Sequence, residues 1–219
     1  MIHVYAILER KVDLADVVGL GGAPVEQLPV GELTAVVTRH DADRLPADET
    51  ALVRHAEVVD TIAATGAPVL PGRFGVTYGD EKELRAAVGE NATRLASLLE
   101  RVAGCVELGV RALEPRRATP ANPASQGGDY LRTRLAEQRR RERLEAEIHD
   151  PLARLSRDST RRTNGSTGLD FSGAYLVPTE DVETFRRRFD DIAQSHEDLT
   201  LVCTGPWAPY SFADTGDTS

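Results

Sequence analysis

Long apolar segments are missing from this sequence of 219 residues. No run approaches the roughly 18 to 20 apolar residues that cross a bilayer, so we expect no membrane partner. The opening MIHVYAILERK reaches a charged residue at Glu9 and has neither a basic n-region nor a small-residue cleavage site. These absences favour a cytoplasmic protein.

Cysteines and catalytic motifs are also scarce. The two cysteines, Cys105 and Cys203, lie too far apart to form a metal knuckle, and we expect buried thiols. The chain has no phosphate loop, no H-E-x-x-H, no C-x-x-C and no G-x-S-x-G motif. Its five histidines are scattered, which favours solvated or structural roles. We therefore predict no catalytic residue, no metal and no cofactor, and we expect that the protein is not an enzyme.

The charge balance argues against one class of partner. Acidic residues outnumber basic ones by 35 to 26, which gives a net charge of -9 and a pI of about 5.1. Such a chain is poorly suited to a polyphosphate backbone, so we expect no nucleic-acid partner. The arginine runs at 139–143 and 186–188 have acidic residues at helical pairing distance, which favours solvated helix faces. An acidic protein partner is the alternative for these runs.

The first half of the chain alternates predicted strands and helices. Apolar and β-branched residues predict strands at 3–8 and 33–38, with a glycine- and proline-rich loop or short edge element between them. Apolar residues at three- and four-residue spacing predict a helix from Asp48 and an uninterrupted helix over 80–104. Residues 69–78 combine strand formers with a proline and two glycines, which predicts a kinked or edge strand.

The second half of the chain has the pattern of four strands and two helices. In chain order the predicted elements are a strand at 105–111, a helix at 129–155, two strands joined by a turn at Asn164 and Gly165, a helix from Thr179, and a strand at 199–203. This β-α-β-β-α-β order is the split, ferredoxin-like pattern.

These elements predict an α+β protein with two domains. The proline- and glycine-rich stretch at 115–128 forms an irregular link near the boundary. Because the strand at 105–111 opens the second pattern, the domains are expected at 1–104 and 105–204. A C-terminal tail at 205–219 follows, with its tryptophan between two prolines. Since three exposed aromatic side chains would form a sticky patch, we expect the tail to dock on another surface of the protein or of a partner.

Three stretches carry a resemblance to a known family. They are VYAI at 4–7, PVLPGRFG at 68–75 and TGPWAPYSF at 204–212. Together they resemble the GvpL/GvpF family of gas vesicle accessory proteins, over a span that runs from the first strand to the closing stretch. Residues 174–177 are similar to the third strand of that family's C-terminal domain.

The resemblance implies a fold and a role. It implies a two-domain α+β protein whose second domain is a modified ferredoxin-like fold. It also implies a non-enzymatic role in building the gas-filled shells that give cells buoyancy. Family members are expected to bind the small hydrophobic shell protein GvpA, limit its aggregation and help nucleate or extend the shell, together with other accessory Gvp proteins. The protein would then be cytoplasmic or a minor component of the gas vesicle.

Five residues are predicted to contact a partner or to hold docked segments together. They are Arg73, Phe74, Trp207, Tyr210 and Phe212, which lie in the two longer signature stretches. A kinked strand or a docked aromatic tail can serve either purpose. The alternative function is a ferredoxin-like ligand-binding or regulatory module without a vesicle role, since one fold supports many functions. Gly72 and Ala208 replace the bulkier residue or proline that the family leads us to expect.

Overall fold

The computed structural model describes residues 1–41, 45, 47–113, 132, 134–135, 138–139, 142–162, 169–196 and 199–213. The chain divides into two compact units. The first unit contains Met1–Val106 and the chain from Trp207 onward, and the second contains Glu107–Pro206. The sequence-based boundaries at 104 and 204 each lie two residues before these limits.

The first unit is built on a five-stranded antiparallel sheet. Its strands are β1 (Ile2–Leu8), β2 (Glu26–Val30), β3 (Leu33–Arg39), β4 (Val69–Pro71) and β5 (Thr77–Tyr78). The order is β2-β3-β1-β4, and β5 also pairs with β1. The predicted kinked strand is therefore two short strands, β4 and β5, separated by a turn.

One face of this sheet is covered by helix α1 (Glu49–Ala64). The helix begins at Asp48, whose carboxylate accepts the backbone N–H of Ala51 at 2.8 Å. Apolar residues from α1 and from the sheet form one core cluster. Its buried members are Tyr5, Ala6, Leu8, Leu20, Val36, Ala51, Val58, Val59, Ile62, Val69 and Ala208.

The other face of the sheet lies against helices α2 (Glu81–Glu90) and α3 (Ala92–Val102). Val4 and Ile7 of β1 point to this side, whereas Tyr5, Ala6 and Leu8 belong to the α1 cluster. A register shift between Val4 and Ala6 breaks the simple alternation of the strand. Because helices cover both faces, all seven residues of β1 are buried.

The helix predicted without interruption over 80–104 is in fact two helices. Asn91 ends α2 with φ -105° and ψ 6°, and its side-chain amide donates to the carbonyl of Ala87 at 2.9 Å. A short polar side chain that bonds to the preceding turn competes with continuation of the helix. The apolar spacing passes through Asn91, so the sequence pattern hid the break.

The second unit contains a four-stranded sheet. Its strands are β6 (Cys105–Leu113), β7 (Asp158–Arg162), β8 (Leu169–Pro178) and β9 (Thr200–Trp207), in the order β7-β8-β6-β9. Strands β7 and β8 pair antiparallel. The strand predicted at 199–203 continues to Trp207, and proline is compatible with it because β9 is the last strand of this order.

Helices supply the rest of the second core. A π-helical stretch (Glu145–His149) runs into the short α4 (Asp150–Ala153), and α5 (Val182–Ser195) follows a 3-10 turn that begins at Thr179. Most of the predicted helix before residue 142, and the predicted turn at Asn164 and Gly165, lie outside the described residues. The buried cluster comprises Leu108, Val110, Ala112, Leu144, Ile148, Leu152, Phe171, Tyr175, Val177, Phe185, Phe189 and Ile192.

Candidate functional site

The five predicted contact residues lie in two segments of the first unit. Arg73 and Phe74 belong to the 71–76 segment, which leads from β4 into β5. The other three belong to the C-terminal segment at 207–213. Phe74 and Ala208 of these two segments both pack in the α1 core cluster.

The 71–76 segment approaches the backbone of β1 very closely. The N–H of Gly72 donates to the carbonyl of Tyr5 at 2.7 Å, and the N–H of Val4 donates to the carbonyl of Val76 at 3.2 Å. A Cβ atom at Gly72 would lie 2.9 Å from the carbonyl oxygen of Val4. The structure therefore explains why glycine, and no bulkier residue, occupies position 72. Gly75, with φ +90°, then turns the chain back toward β5.

Arg73 and Phe74 have different environments within this segment. The Arg73 side chain is exposed, whereas Phe74 is half-buried. The ring of Phe74 contacts the imidazoles of His3 and His55 edge-on, with centroid distances of 6.0 and 5.7 Å. Phe74 thus anchors the segment to the core and leaves Arg73 at the surface.

Two histidines behind the segment form a buried pair that the sequence analysis did not identify. His3 on β1 is 0% exposed and His55 on α1 is 2% exposed. Nε2 of His3 lies 2.9 Å from Nδ1 of His55, and Nε2 of His55 lies 3.0 Å from the carbonyl oxygen of Gly72. Because a carbonyl only accepts, His55 must donate through Nε2 and accept from His3 through Nδ1. The two rings therefore form a directed chain that ends on Gly72.

The aromatic side chain of Tyr5 completes this cluster. Its ring stacks on His55 at a centroid distance of 5.2 Å and an interplanar angle of 20°. Its hydroxyl accepts the N–H of Leu20 at 2.8 Å and lies 3.3 Å from the hydroxyl of Thr38. Burial raises the pKa of Tyr5, so the hydroxyl stays protonated.

Burial also keeps the histidine pair uncharged. Burial first, and then the neighbouring His55 and His40, lower the pKa of His3 to about 3, although the backbone of Val76 opposes the change. The pKa of His55 is lowered by burial as well, although its bond to the Gly72 carbonyl opposes the change. Both rings are thus neutral at physiological pH, and Nδ1 of His3 has no hydrogen-bond partner. This arrangement is a structural support and places no proton donor at the surface.

The C-terminal segment is folded into a compact turn. The N–H groups of Phe212 and Ala213 donate to the carbonyl of Pro209 at 3.1 and 3.0 Å, and that of Tyr210 donates to Ala208 at 2.8 Å. Ala208, Phe212 and Ala213 are buried at 3 to 4% exposure. Phe212 is consequently an anchor of the segment.

The remaining two aromatic residues of the C-terminal segment face outward. Trp207 is 49% exposed and Tyr210 is 36% exposed. Partial burial raises the pKa of Tyr210, and Asp60 on α1 raises it further, so the phenol is neutral. An aromatic pair on an anchored turn is a surface that can bind apolar groups without prior ordering.

A cavity of about 630 Å³ lies between β1, β5 and the α2–α3 pair. Its apolar lining is contributed by Val4, Ile7, Leu70, Val76, Leu84, Ala87, Val88 and Leu95. Two of the polar side chains at the cavity stabilise helix α2 and the turn before it. Glu83 accepts the N–H of Gly79 at 2.6 Å, and Asn91 caps α2. Thr77, Tyr78 and Arg94 also line the cavity.

The second unit has its own buried polar contact. Nδ1 of His149 lies 3.0 Å from the hydroxyl of Tyr175, and burial lowers the pKa of the histidine and raises that of the tyrosine.

In the part of the chain that the structure describes, no group of three or more His, Cys, Asp or Glu residues could hold a metal ion. Among the same residues, no helix is long and apolar enough to cross a bilayer.

The fold and these segments define an α+β protein of two units that offers anchored surface segments. The chain belongs to the family of gas vesicle synthesis proteins GvpL/GvpF, whose family model matches residues 1–214. It is therefore a protein of the gas vesicle system, as the sequence signatures indicated.

Named relatives and solved structures agree with this family. The chain is 28% identical to gas vesicle protein F1 of Halobacterium salinarum, with 97% of this chain and 92% of the relative covered. It is 31% identical to gas vesicle protein L of a Streptomyces species, over 89% and 85% of the two chains. The crystal structure of the gas vesicle protein GvpF from Microcystis aeruginosa superposes with a TM-score of 0.82 at 18% identity, over 97% of this chain and 98% of that one. The overall α+β fold is thus shared with solved proteins.

Proposed function

We propose that this protein is a gas vesicle assembly factor, or a minor component of the vesicle, that binds the hydrophobic shell protein GvpA in the cytoplasm. Membership of the GvpL/GvpF family supports a role in the vesicle system. Binding to GvpA would limit its aggregation and help to nucleate or extend the shell, together with other accessory Gvp proteins. The resulting shells provide buoyancy.

The physical need for such a protein follows from the shell subunit. A small protein with a gas-facing apolar surface tends to aggregate before it is assembled. A carrier that covers this surface lowers the concentration of exposed sticky edges. Because the subunit must pass on into the shell, the binding has to be reversible.

The observation that carries the proposal is the exposure of Trp207 and Tyr210 on an anchored turn. Phe212 and Ala208 are buried and fix the turn, so the exposed aromatic pair needs little ordering when it binds. Tryptophan and tyrosine are the residues most enriched among energetically dominant contacts. We assign the contact role to Trp207 and Tyr210, with Arg73 as a second contact, and the anchoring role to Phe74 and Phe212.

We further infer that the protein acts by binding and not by catalysis. Two of the buried histidines among the described residues are bonded to core groups, His55 to Gly72 and His149 to Tyr175. We also infer a modified ferredoxin-like fold for the second unit, because β8 lies between β6 and β7 in the order β7-β8-β6-β9. In a split β-α-β unit, a later strand is inserted in this way.

The test is capture of purified GvpA, kept in solution as a fusion, by the wild-type chain and by Trp207→Ala and Tyr210→Ala. We expect each substitution to weaken capture by roughly tenfold or more, as for central aromatic contacts. Val53→Ala is the matched control, because Val53 is 50% exposed on α1 and lies outside the C-terminal segment. Light scattering of unfused GvpA should rise more slowly with wild type than with the double variant.

Two outcomes would contradict the proposal at different levels. If the wild-type chain captures GvpA and Val53→Ala weakens capture as much as Trp207→Ala does, the contact is wrongly located. If the wild-type chain captures neither GvpA nor another Gvp protein, the binding function itself is wrong. The alternative, a ligand-binding or regulatory module without a vesicle role, would then be favoured. Circular dichroism of each variant shows whether the fold is retained.

A further inference from the structure

The 71–76 segment is attached to the rest of the first unit through polar contacts that include the histidine pair. Gly72 bonds through its N–H to Tyr5 and through its carbonyl to His55, and Val76 accepts from Val4. The only aromatic side chain of the segment, Phe74, rests on the same two imidazoles that end at the Gly72 carbonyl. The histidine pair therefore holds the segment at both its backbone and its aromatic side chain.

The directions of these hydrogen bonds fix where protons can sit. His55 donates from Nε2 to Gly72, so its Nδ1 must accept the Nε2–H of His3, 2.9 Å away. A proton added to Nδ1 of His55 would place two N–H groups face to face. The other vacant position is Nδ1 of His3, which is buried and makes no hydrogen bond in the structure, although the backbone of Val76 raises the pKa of this ring. Either addition places a charge among aromatic rings, which is costly.

The charged groups around the pair do not offset such a charge. His40 follows β3, and its Nε2 lies 2.8 Å from the hydroxyl of Thr38. His40 lowers the pKa of His3. The N-terminal amino group in turn lowers the pKa of His40, and Asp41 raises it. Arg54 on α1 lowers the pKa of the neighbouring Tyr5. Among the described residues, no carboxylate acts directly on either ring of the pair. A protonated pair would therefore lack a compensating anion.

We propose that the His3–His55 pair is an acid-sensitive latch, which holds the 71–76 segment closed when neutral and releases it from α1 and β1 on protonation. Opening moves the imidazoles into water, where both rings can accept protons. It also exposes Phe74 and frees the backbone of Gly72. The rest of the sheet is held by the β1–β3 and β2–β3 ladders, which do not include residues 71–76, so the opening is local.

The sign and size of the effect follow from proton linkage. In the closed state the pKa of His3 is about 3, whereas a solvated histidine has a pKa of about 6.5. Acidification from 6.5 downward thus favours the open state, which binds more protons. The opening constant should rise by up to about tenfold per pH unit for each histidine, or roughly 100-fold between pH 6.5 and 4.5 for one.

Hydrogen exchange of the wild-type chain between pH 7.5 and 4.5, corrected for intrinsic exchange rates, tests the latch directly. The peptide that covers residues 71–76 should lose protection by roughly 100-fold or more, while peptides from β3 and from β8 keep theirs. His55→Gln retains an amide donor for the Gly72 carbonyl but does not titrate, so it should reduce this pH dependence. In the double variant His3→Gln and His55→Gln the dependence should disappear.

The controls separate this effect from general acid unfolding. His149→Gln removes a buried histidine of the second unit, outside the pair, and should leave the exchange profile of residues 71–76 unchanged. Protection of residues 71–76 that is constant with pH in the wild type would overturn the proposal, as would simultaneous loss of protection in β3. An NMR titration of the five wild-type histidines needs no variant. The signals of His3 and His55 must titrate with an apparent pKa well below 6.5, and ordinary titration of these two would also overturn the latch.

Discussion

Gly72 illustrates how a single residue can be fixed by its neighbours' backbone. An added Cβ would meet the carbonyl oxygens of Val4 at 2.9 Å and Tyr5 at 3.3 Å. Neither oxygen can move without disturbing β1, the central strand of the sheet. The absent side chain is thus what allows the 71–76 segment to pair with that strand.

We predict that Gly72→Ala lowers the free energy of unfolding by about 1 to 3 kcal/mol, the usual cost of forcing an extra group into a packed site. The measurement is urea unfolding followed by circular dichroism. Gly89→Ala is the matched control, because Gly89 lies in α2 and nothing lies within 4 Å of its added Cβ. That control should instead stabilise the chain by about 0.5 to 1 kcal/mol, since alanine favours helix. Equal effects of the two substitutions would refute this account of Gly72.

The positions of the aromatic residues in the chain could be predicted from the sequence, whereas their exposure in the fold could not. The motifs located Phe74, Trp207, Tyr210 and Phe212 in two segments, but exposure depends on contacts with distant parts of the chain. His3 and His55 are 52 residues apart, and neither carries a local pattern that signals the other. The only available signal was that a histidine at position 3 lies within a wholly apolar strand.

At the scale of elements, helix starts were the most predictable feature. The capping pattern at Asp80 is confirmed: its carboxylate accepts the N–H of Glu83 at 2.8 Å. The Glu83 carboxylate in turn accepts the N–H of Gly79, so two end groups of α2 are satisfied. This signal is local in sequence, which is why it could be read without knowledge of the fold.

We predict that Asp80→Ala destabilises the first unit by about 1 kcal/mol, through loss of the N-terminal cap of α2. Asp80→Asn keeps an oxygen acceptor and should lose much less. Urea unfolding of both variants measures the difference. Similar losses for alanine and asparagine would show that the hydrogen bond to Glu83 is not the source of the effect.

Elements whose limits depend on tertiary contacts were less predictable. The limits of two strands were predicted to within one residue: β1 and β3 were expected at 3–8 and 33–38 and are found at Ile2–Leu8 and Leu33–Arg39. The break at Asn91 and the division of residues 69–78 into two strands were not expected. Both depend on side-chain or backbone bonds that the apolar spacing does not encode.

At the scale of the whole molecule, the buried histidines predict a loss of stability on acidification. Burial lowers the pKa values of His3, His55 and His149. Below pH 6.5 the unfolded chain therefore binds protons that the native chain does not, and the free energy of unfolding falls. The expected slope is up to about 1.4 kcal/mol per pH unit for each such histidine.

Urea midpoints measured at several values between pH 7.5 and 5 test this prediction. The midpoint should be constant above about pH 7 and decline below 6.5, before most carboxylates begin to titrate. His149→Gln should reduce the slope by no more than one histidine's share. A midpoint that stays level or rises as the pH falls to 5 would contradict it.

The first unit is made from both ends of the chain, since Ala208, which follows the second unit in the sequence, packs in the α1 core cluster. Domains form during synthesis as their residues emerge from the ribosome. The sheet and helices of the first unit are translated first, yet their core lacks the Ala208 side chain until the second unit has been made. The second unit can thus be complete before the first. The C-terminal segment with Trp207 and Tyr210 is consequently available for binding only after both units have been synthesised.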